Sequence, residues 1–199
     1  MIYAHRGLHN ENIPENSMIS FIKAKNKKIP IELDIRLLKD NKIVVFHDTN
    51  LKRMTSINKK IEECTYNEIK ELKLLNTNYK IPLLNEVLKN INDEINILIE
   101  IKTKNKKIIK PLLKILKNYT NFKIQSFNKT ILKELKKYYK VGLLSYKINN
   151  KFDFLVMPYY LINDLNFNKI KKPLYIWDLK KEDIKKYQKY TNIFIVDYN

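Results

Sequence analysis

The sequence predicts an α/β fold, a compact TIM, or (β/α)₈, barrel with a β-hairpin and a small insertion after the second strand. Three observations favour this fold. Short runs rich in Ile, Val, Phe and Tyr alternate with stretches of helical periodicity. The short runs are apolar throughout, as expected for strands of a parallel sheet that is buried on both faces. The length of 199 residues lies at the lower limit of this barrel, about 200 residues.

Eight apolar runs are the predicted barrel strands. In chain order they cover residues 2–5, 30–35, 95–101, 122–127, 141–146, 152–157, 174–177 and 192–196. Between most of them lie predicted helices, and the apolar residues of 108–116 and 131–139 recur at the spacing of one helix face. Pro111 lies in the first turn of its helix or kinks it. The short gap between the fifth and sixth strands indicates that the outer helix there is missing or reduced.

A ninth strand-like run, 43–46, follows the second predicted strand after a very short connection. A parallel crossover needs about a dozen residues, whereas a hairpin needs only a few, so we expect this run to return antiparallel. If the hairpin is symmetric about Asp40 and Asn41, Asp34 lies opposite His47. Residues from about 37 to 81 then form the hairpin and the small insertion, within a single domain that spans 1–199.

The charge of the chain is strongly positive, +18 at pH 7, but its distribution does not favour nucleic-acid binding. Only three of the 39 basic residues are arginines, Arg6, Arg36 and Arg53, and the lysines are spread along the whole chain. Recognition of bases and phosphates favours the forked guanidinium of arginine. We therefore expect a solvated basic surface and no nucleic-acid partner. The positive field is expected to attract anionic substrates and to allow weak contact with an anionic membrane surface.

Glycine and cysteine are rare, and their scarcity excludes several functions. With two glycines the chain has neither a P-loop nor a dinucleotide-binding fingerprint, so ATP- and NAD-dependent chemistry by those routes is excluded. The single cysteine, Cys64, forms no internal disulfide and no thiolate metal cluster. Because no apolar run reaches a membrane-spanning length and His5 follows Met1 so closely, we expect no leader and a cytoplasmic location.

Five side chains in strand-like sequence are the leading candidates for an active site. Glu32 and Asp34 are two residues apart, so they project from the same face of a strand. Glu100 lies inside a third apolar run, and His5 and His47 each end one. Such groups are costly to bury unless they bind a metal or do chemistry. Three carboxylates suit Mg²⁺ or Ca²⁺ better than zinc, which favours His or Cys ligands.

Motifs along nearly the whole chain make it resemble the glycerophosphodiester phosphodiesterase family. They are Ala4-His5-Arg6-Gly7, Pro14-Glu15-Asn16-Ser17, Glu32-Leu33-Asp34, Lys39-Asp40, Val44-Val45-Phe46-His47-Asp48, Leu51-Lys52-Arg53-Met54-Thr55, Ile81-Pro82-Leu83-Leu84, Ile99-Glu100-Ile101-Lys102, Gln125-Ser126-Phe127, Tyr175-Ile176-Trp177 and Val196-Asp197-Tyr198. The resemblance implies a barrel with an insertion after its second strand. It also implies divalent-metal-dependent hydrolysis of glycerophosphodiesters to sn-glycerol 3-phosphate and an alcohol, through a cyclic phosphate formed by the glycerol 2-hydroxyl.

The chain departs from the family pattern at a few positions. It has Leu38 and Asn41 in the hairpin turn, and Asp178 and Lys180 after the late Trp. The family usually has Thr or Ser and Gly in the first pair of places, and Thr and Asn in the second. The insertion is also reduced to a stretch around 57–64. These departures concern the specificity for the alcohol more than the chemistry.

With this reaction in view, candidate roles can be given to further residues. His5 and His47 are the predicted acid and base, in either order, because imidazole titrates near neutral pH. Arg6 and Lys102 are predicted phosphate contacts. His9, in a polar loop, is predicted to be an ordinary surface histidine.

Three further side chains are assigned to the substrate side of the cleft. Trp177, at a strand end, is predicted to wall the glycerol side. Phe127 either lines the cleft or packs in the core. Glu15 orients a catalytic imidazole, approaches the metal, or is a common first-turn helix acid.

The sequence is also compatible with two alternative functions. The first is a lysophospholipase D-like or phospholipase D-like enzyme on the same barrel, which would need an apolar rim near the cleft. The second is a basic, non-enzymatic module that binds nucleic acid or a membrane surface, against which the carboxylates and histidines argue. Substrates with and without an acyl chain separate the first alternative, and salt-sensitive DNA or liposome binding without a metal site would identify the second.

Overall fold

The computed structural model describes residues 1–198 and has nine strands and seven α-helices in this range. The strands are β1 (Ile2–Ala4), β2 (Ile31–Leu37), β3 (Ile43–Val45), β4 (Ile97–Ile101), β5 (Phe122–Ser126), β6 (Val141–Leu144), β7 (Phe154–Pro158), β8 (Leu174–Lys180) and β9 (Phe194–Asp197). The helices are α1 (Met18–Asn26), α2 (Lys52–Thr55), α3 (Tyr66–Ile69), α4 (Leu84–Ile91), α5 (Ile109–Leu116), α6 (Lys129–Leu135) and α7 (Ile184–Tyr187). None of these helices has the length and hydropathy needed to cross a membrane.

Eight of the strands form a closed parallel barrel, which confirms the predicted fold. The order is β1-β2-β4-β5-β6-β7-β8-β9, and β9 pairs with β1 to close the barrel. All eight pairings are parallel. Because the strands are parallel, their carboxyl ends lie at one face of the barrel, where active sites of this architecture form.

The strand β3 pairs antiparallel with β2, as the short connection predicts, but the predicted register is wrong by one residue. Ile35 pairs with Val45, and the backbone N–H of Phe46 donates to the carbonyl of Asp34. The loop has an odd number of residues because Asn41 adopts φ 61°, the left-handed conformation that ends a three-residue hairpin loop. Asp34 therefore faces Phe46, and His47 lies beyond the paired residues.

The outer helices shrink toward the C-terminal half of the barrel. Among the described residues, no helix lies between β6 and β7, as the short gap predicts, and only 3₁₀ turns lie between β7 and β8. Pro111 occupies the first turn of α5, where its missing N–H costs no helix bond. The strand β8 runs beyond its predicted end, through a bulge at which Asp178 has φ 65°.

Apolar residues fill both the barrel and the layer around it. The barrel interior holds one cluster, of Tyr3, Leu98, Leu144, Phe154, Val156, Tyr175 and Ile195. A larger cluster fills the space between the strands and helices α1, α4, α5 and α6. The insertion after β3 has its own small core around Phe46, Met54, Ile61 and Cys64. The apolar cluster inside the barrel closes its lower part, so the polar side chains stand above a packed floor.

Candidate active site

Three carboxylates meet inside the barrel, near the carboxyl ends of two neighbouring strands. Glu32 and Asp34 lie on β2, and the pairing of β2 with β4 sets Asp34 beside Glu100. One carboxylate oxygen from each residue lies within 4.8 Å of the other two. All three side chains are buried. The structure thus brings together the three residues that the sequence predicts as metal ligands.

The electrostatics of this acidic triad, Glu32, Asp34 and Glu100, fit a cation. Burial and the charges of the neighbouring carboxylates raise the pKa of Glu32 well above its usual range, and they raise that of Glu100. For Asp34 burial acts in the same direction, but Arg6 and Lys102 outweigh it and lower the pKa. Two of the three carboxyls therefore favour protonation, which a bound cation would reverse. Hard oxygen donors at this spacing suit Mg²⁺ or Ca²⁺.

Polar neighbours hold the triad in place. The amide of Asn16 donates from Nδ2 to Asp34 Oδ2 over 2.8 Å, and its Oδ1 accepts the backbone N–H of Asp34 at 3.2 Å. The backbone N–H of Arg6 donates to Glu32 Oε2 at 3.2 Å. Gln125 donates to Glu32 Oε1 at 3.5 Å, while the Gln125 Oε1 is buried without a hydrogen-bond partner among the described residues. Such outer contacts orient metal ligands.

The first predicted catalytic histidine, His5, follows β1. Its Nδ1 lies 2.9 Å from Asp197 Oδ1, at the end of β9. The imidazole acts electrostatically on Asp34 and Glu100, so it borders the triad. His9, predicted as an ordinary surface histidine, also meets this carboxylate, with Nε2 3.5 Å from Asp197 Oδ1. Burial acts to raise the pKa of Asp197, but the hydrogen bonds and charges of the two imidazoles prevail and lower it strongly.

The second predicted catalytic histidine, His47, reaches the triad from the hairpin. Its Nδ1 lies 2.7 Å from Asp48 Oδ1, and its carbonyl accepts two bonds from Arg36, at 2.9 Å and 2.8 Å. Burial lowers the pKa of His47, and this effect exceeds the opposing charge of Asp34. Each of the two histidines therefore has Nδ1 fixed by a carboxylate, an arrangement that sets the tautomer and leaves Nε2 for chemistry.

The two predicted phosphate contacts also border the triad. Lys102 Nζ lies 2.9 Å from Glu100 Oε1 and 3.8 Å from Asp34 Oδ1. Arg6 Nε lies 3.4 Å from Asp34 Oδ2, and its Nη1 donates to Glu15 Oε1 at 2.8 Å. Burial opposes the charge on both side chains, but the neighbouring carboxylates prevail and raise the pKa of each. Both therefore carry a fixed positive charge.

The backbone turns sharply at Arg6 and Gly7, where φ is 55° and 80°. A Cβ on Gly7 would lie 2.5 Å from Ser20 Oγ, so this turn against α1 requires glycine.

Arg53, on α2 of the insertion, joins two of these groups. It donates to Asp48 Oδ2 at 2.6 Å and to Glu15 at 3.0 Å and 2.7 Å. Asp48 is the hydrogen-bond partner of His47, and Glu15 is the hydrogen-bond partner of Arg6. Arg53 is therefore linked to His47 through Asp48 and to Arg6 through Glu15. These bonds lower the pKa of Glu15 despite its burial. Glu15 precedes α1 and is therefore not an acid of its first turn, and its hydrogen bonds come from Arg6 and Arg53 rather than from a catalytic imidazole.

Aromatic rings border the other side of the site. The rings of Phe127 and Trp177 meet edge to face, with centroids 6.5 Å apart. Phe127 is 43% exposed, so it is not a core residue. The indole Nε1 of Trp177 is buried without a hydrogen-bond partner in the described range. A cavity of about 500 Å³ beside these rings is lined by residues 100–104 and 126–129.

A larger open groove of about 1010 Å³ lies between α1 and Tyr198, away from the three carboxylates. The smaller cavity borders Glu100 and Lys102, so it is the one that opens onto the candidate active site.

Four polar residues of the site were missed as site residues, namely Asn16, Arg53, Gln125 and Asp197. Each lies in one of the motifs that carry the family resemblance. Arg53 is also one of only three arginines in the sequence, and this rarity could have marked it as a candidate site residue. For Asn16, Gln125 and Asp197, no pattern in the chain indicates the contact, because each meets a partner that is distant in sequence.

Comparisons with known proteins agree with this arrangement. The family model described as "Glycerophosphoryl diester phosphodiesterase family" matches residues 5–153. A glycerophosphodiester phosphodiesterase of Caldanaerobacter subterraneus subsp. tengcongensis is 34% identical over 163 residues, which are 72% of this chain and 66% of that protein. The chain spans about half to two thirds of the length of the curated relatives it matches, 45% and 66% for the first two.

Solved structures are similar along almost the whole chain. A glycerophosphodiester phosphodiesterase from Thermotoga maritima has a TM-score of 0.80 and 31% identity, covering 98% of this chain and 93% of that chain. An Oleispira antarctica phosphodiesterase, in complex with the product sn-glycerol-3-phosphate, has a TM-score of 0.87 at 21% identity, covering 100% and 93%. At that identity the second structure is evidence for the fold alone.

Proposed function

The chain belongs to the glycerophosphoryl diester phosphodiesterase family, and from this membership we propose that it hydrolyses glycerophosphodiesters to sn-glycerol 3-phosphate and an alcohol. The observation that carries the proposal is the buried acidic triad bordered by two imidazoles, each with Nδ1 on a carboxylate. Supporting it, the Thermotoga maritima glycerophosphodiester phosphodiesterase is 31% identical and covers 98% of this chain.

In this proposal Glu32, Asp34 and Glu100 hold one divalent cation, Mg²⁺ or Ca²⁺. When bound, the cation supplies positive charge that offsets the negative charge of a phosphodiester and of its transition state. The fit rests on three carboxylate oxygens within 4.8 Å of one another and on the raised pKa of Glu32 and Glu100. Separate titrations with Mg²⁺ and Ca²⁺ distinguish the two ions.

The cationic and aromatic side chains bind the substrate in this proposal. Arg6 and Lys102 contact the phosphoryl oxygens, and their fixed charges lie within 3.4 Å and 2.9 Å of the triad carboxylates. Glu15 orients Arg6. Trp177 walls the glycerol side, and Phe127 lines the cleft beside it. These contacts hold the glycerol arm close to the phosphorus atom, which favours attack by its hydroxyl.

The two histidines move the protons. As the glycerol 2-hydroxyl oxygen bonds to phosphorus, one imidazole takes its proton at Nε2. The other imidazole donates its Nε2 proton to the departing alcohol oxygen, and a cyclic phosphate results. Water then opens the ring with the roles of the two imidazoles reversed. Asp197 and Asp48 keep the tautomers and stabilise each imidazolium.

The test is release of glycerol 3-phosphate from glycerophosphocholine and glycerophosphoethanolamine, with Mg²⁺ and Ca²⁺ titrated separately. His5→Gln and His47→Gln should each lower kcat by roughly 10²–10⁴. As a matched control, His9→Gln removes an imidazole whose Nε2 lies 3.5 Å from Asp197 Oδ1, and should cost less than about tenfold. No release from any glycerophosphodiester with either metal would overturn the proposal.

The same assay decides between the proposal and its alternatives. Preferential turnover of lysophosphatidylcholine would favour a lysophospholipase D-like enzyme instead. DNA binding without turnover would favour a basic binding module.

We also propose a cytoplasmic location, because the chain has one cysteine and hence no cysteine pair to oxidise, and cell fractionation tests this.

A further inference from the structure

The segments that directly follow β4, β5 and β6 carry lysines and no acidic residue. Residues 102–107 contain four lysines, and 127–129 and 145–147 contain one each, with neither Asp nor Glu in these segments. Five of these lysines are exposed, namely Lys104, Lys106, Lys107, Lys129 and Lys147. Within residues 1–198 these five form no ion pair, whereas Lys102 pairs with Glu100. Glu134 acts electrostatically on Lys106 and Asp178 on Tyr160, so the protein neutralises this local excess of charge only in part.

Exposed aromatic rings lie among these lysines. Phe127, Tyr146 and Tyr160 are 43%, 55% and 51% exposed. Phe127 stacks on Tyr146 with ring centroids 5.7 Å apart, and Tyr146 and Tyr160 interact electrostatically. Single exposed aromatics are common on protein surfaces, but neighbouring ones in contact form a patch that indicates an interaction site. We call these three rings and the five exposed lysines the aromatic–lysine face.

The aromatic–lysine face lies at the mouth of the candidate active site. Its loops all follow barrel strands, so they lie at the same end of the barrel as the triad. The cavity of about 500 Å³ is lined by Glu100 and Lys102 on one side and by Lys104, Phe127 and Lys129 on the other. A partner bound to this face would therefore meet the opening of the cleft.

We propose that the aromatic–lysine face docks on the surface of an anionic lipid bilayer. Tyrosine and phenylalanine rings enter the headgroup region, where one end of a ring is apolar and the other is wet. Lysines beside them are attracted by the negative surface potential of anionic lipids. Docking would hold the cleft toward the lipid surface. This inference takes the lipid-derived nature of the substrate from the proposed function, but the docking itself requires no turnover.

Two other occupants fit this face less well. An aromatic cage for a quaternary ammonium group needs rings without competing cations, yet Lys104 and Lys129 line the same cavity as Phe127, and Lys147 follows Tyr146. Nucleic-acid recognition favours the forked guanidinium of arginine, and the loops of this face contain no arginine.

The experiment is co-sedimentation of the full chain with vesicles of phosphatidylglycerol and phosphatidylcholine, compared with pure phosphatidylcholine vesicles. We expect binding to the anionic vesicles only. The variant K104Q/K129Q/K147Q should weaken this binding by roughly 100-fold, on a basis of about fivefold per lysine at the membrane surface. The variant Y146S/Y160S should remove the part of the binding that persists at high salt, where charge attraction is screened.

The matched control is K117Q/K140Q/K172Q, which removes the same charge from exposed lysines that follow α5 or precede β6 and β8, at the opposite end of the barrel. It should weaken binding by less than about threefold, because distant charges are screened. Equal losses in both triple variants, or no binding to anionic vesicles, would overturn the proposal. Displacement of bound vesicles by a single-stranded oligonucleotide, dependent on the same three lysines, would also overturn it.

Release of glycerol 3-phosphate from soluble glycerophosphocholine is measured on the same protein preparations. Vesicle binding without turnover would contradict the proposed function alone. Turnover without vesicle binding would contradict the docking proposal alone.

Discussion

At the scale of single residues, the site is a set of charges whose ionisation depends on one another. Asp34 is buried beside two other carboxylates, yet Arg6 and Lys102 lower its pKa. Arg6 compensates Glu32 less, and burial with carboxylate repulsion raises its pKa. The difference between these two neighbours on β2 indicates that Arg6 and Lys102 do not fully compensate the negative charge of the triad. Loss or gain of charge at single residues should therefore have measurable effects.

The first prediction concerns cation binding by Asp34. Addition of Mg²⁺ or Ca²⁺ at about 100 times Kd should stabilise the wild-type protein by ~2.7 kcal/mol, because the cation binds only the folded triad. For a chain of this size, that corresponds to a rise in Tm of roughly 5–10 °C, measured by thermal melting. Asp34→Asn should abolish the rise, whereas Asp164→Asn, which removes an exposed carboxylate, should preserve it. An equal metal-induced rise in both variants would exclude the triad as the binding site.

The second prediction concerns the pH dependence of stability at Asp48. The pKa of Asp48 is lowered from 3.8 to about 2, because bonds from Arg53 and His47 outweigh the opposing effect of burial. The unfolded chain therefore binds more protons in this window, so the contribution of Asp48 is fully present above about pH 4 and is lost as the pH falls toward 2. This contribution is at most about 2 kcal/mol.

The measurement is urea unfolding of wild type and Asp48→Asn from pH 6 down to roughly pH 3. The difference in unfolding free energy between the two proteins should narrow below about pH 4. A difference that is constant with pH would show that the carboxylate makes no charge-dependent contribution.

At the scale of elements, short segments hold the site residues in position. The three-residue hairpin loop aims His47, and the first turn after β1 aims Arg6. The four-residue helix α2 contributes Arg53, which bonds to both Asp48 and Glu15. The insertion thus takes part in the geometry of the site although it lies outside the barrel.

We predict that Arg53→Gln lowers kcat/KM by roughly 10- to 100-fold, the usual cost of losing a residue that orients groups in direct contact with the substrate. The kcat/KM of Arg53→Lys should lie between those of wild type and Arg53→Gln, because lysine keeps the positive charge but lacks the forked guanidinium. The control is Lys52→Gln on the same helix, which should change the rate by less than about twofold. On an Asp48→Asn background the effect of Arg53→Gln should shrink. If Arg53→Gln lowers kcat/KM as much on the Asp48→Asn background as in wild type, Arg53 does not act through Asp48.

A packing prediction concerns Gly142 on β6. A Cβ at this position would lie 2.0 Å from Cε2 of Phe154, on the neighbouring strand β7. Gly142→Ala should therefore destabilise the fold by about 3 kcal/mol, as measured by denaturant unfolding. In a Phe154→Leu background the same substitution should cost at least about 1 kcal/mol less. An unchanged cost there would mean that the ring is not the obstacle.

At the scale of the whole molecule, the barrel and the insertion are joined by polar contacts. Arg36 on β2 is buried and bonds to Glu62 in the insertion at 3.0 Å. Arg53 makes a second link, to Glu15 beside the barrel. The insertion has only a small apolar core of its own, around Cys64. We therefore propose that residues 1–199 form one domain, as predicted from the sequence.

Two unique residues can test this. Trp177 on β8 reports on the barrel by fluorescence, and the buried thiol of Cys64 reports on the insertion by its reaction with a thiol reagent. If the chain is one cooperative unit, both signals should change at the same denaturant midpoint. Reaction of Cys64 at clearly lower denaturant than the Trp177 transition would show that the insertion unfolds separately.

The sequence by itself determined the barrel, the hairpin and the candidate ligands. Continuous apolar runs can be buried only between layers, and carboxylates inside such runs need a partner. Both the barrel strands and the candidate ligands can therefore be predicted from the order of residues alone. The tertiary structure alone decided the hairpin register, the pairing of His5 with Asp197, and the links from Arg53 to Asp48 and Glu15. The register depends on one left-handed residue at Asn41, and the other contacts join strands and loops whose positions depend on closure of the barrel.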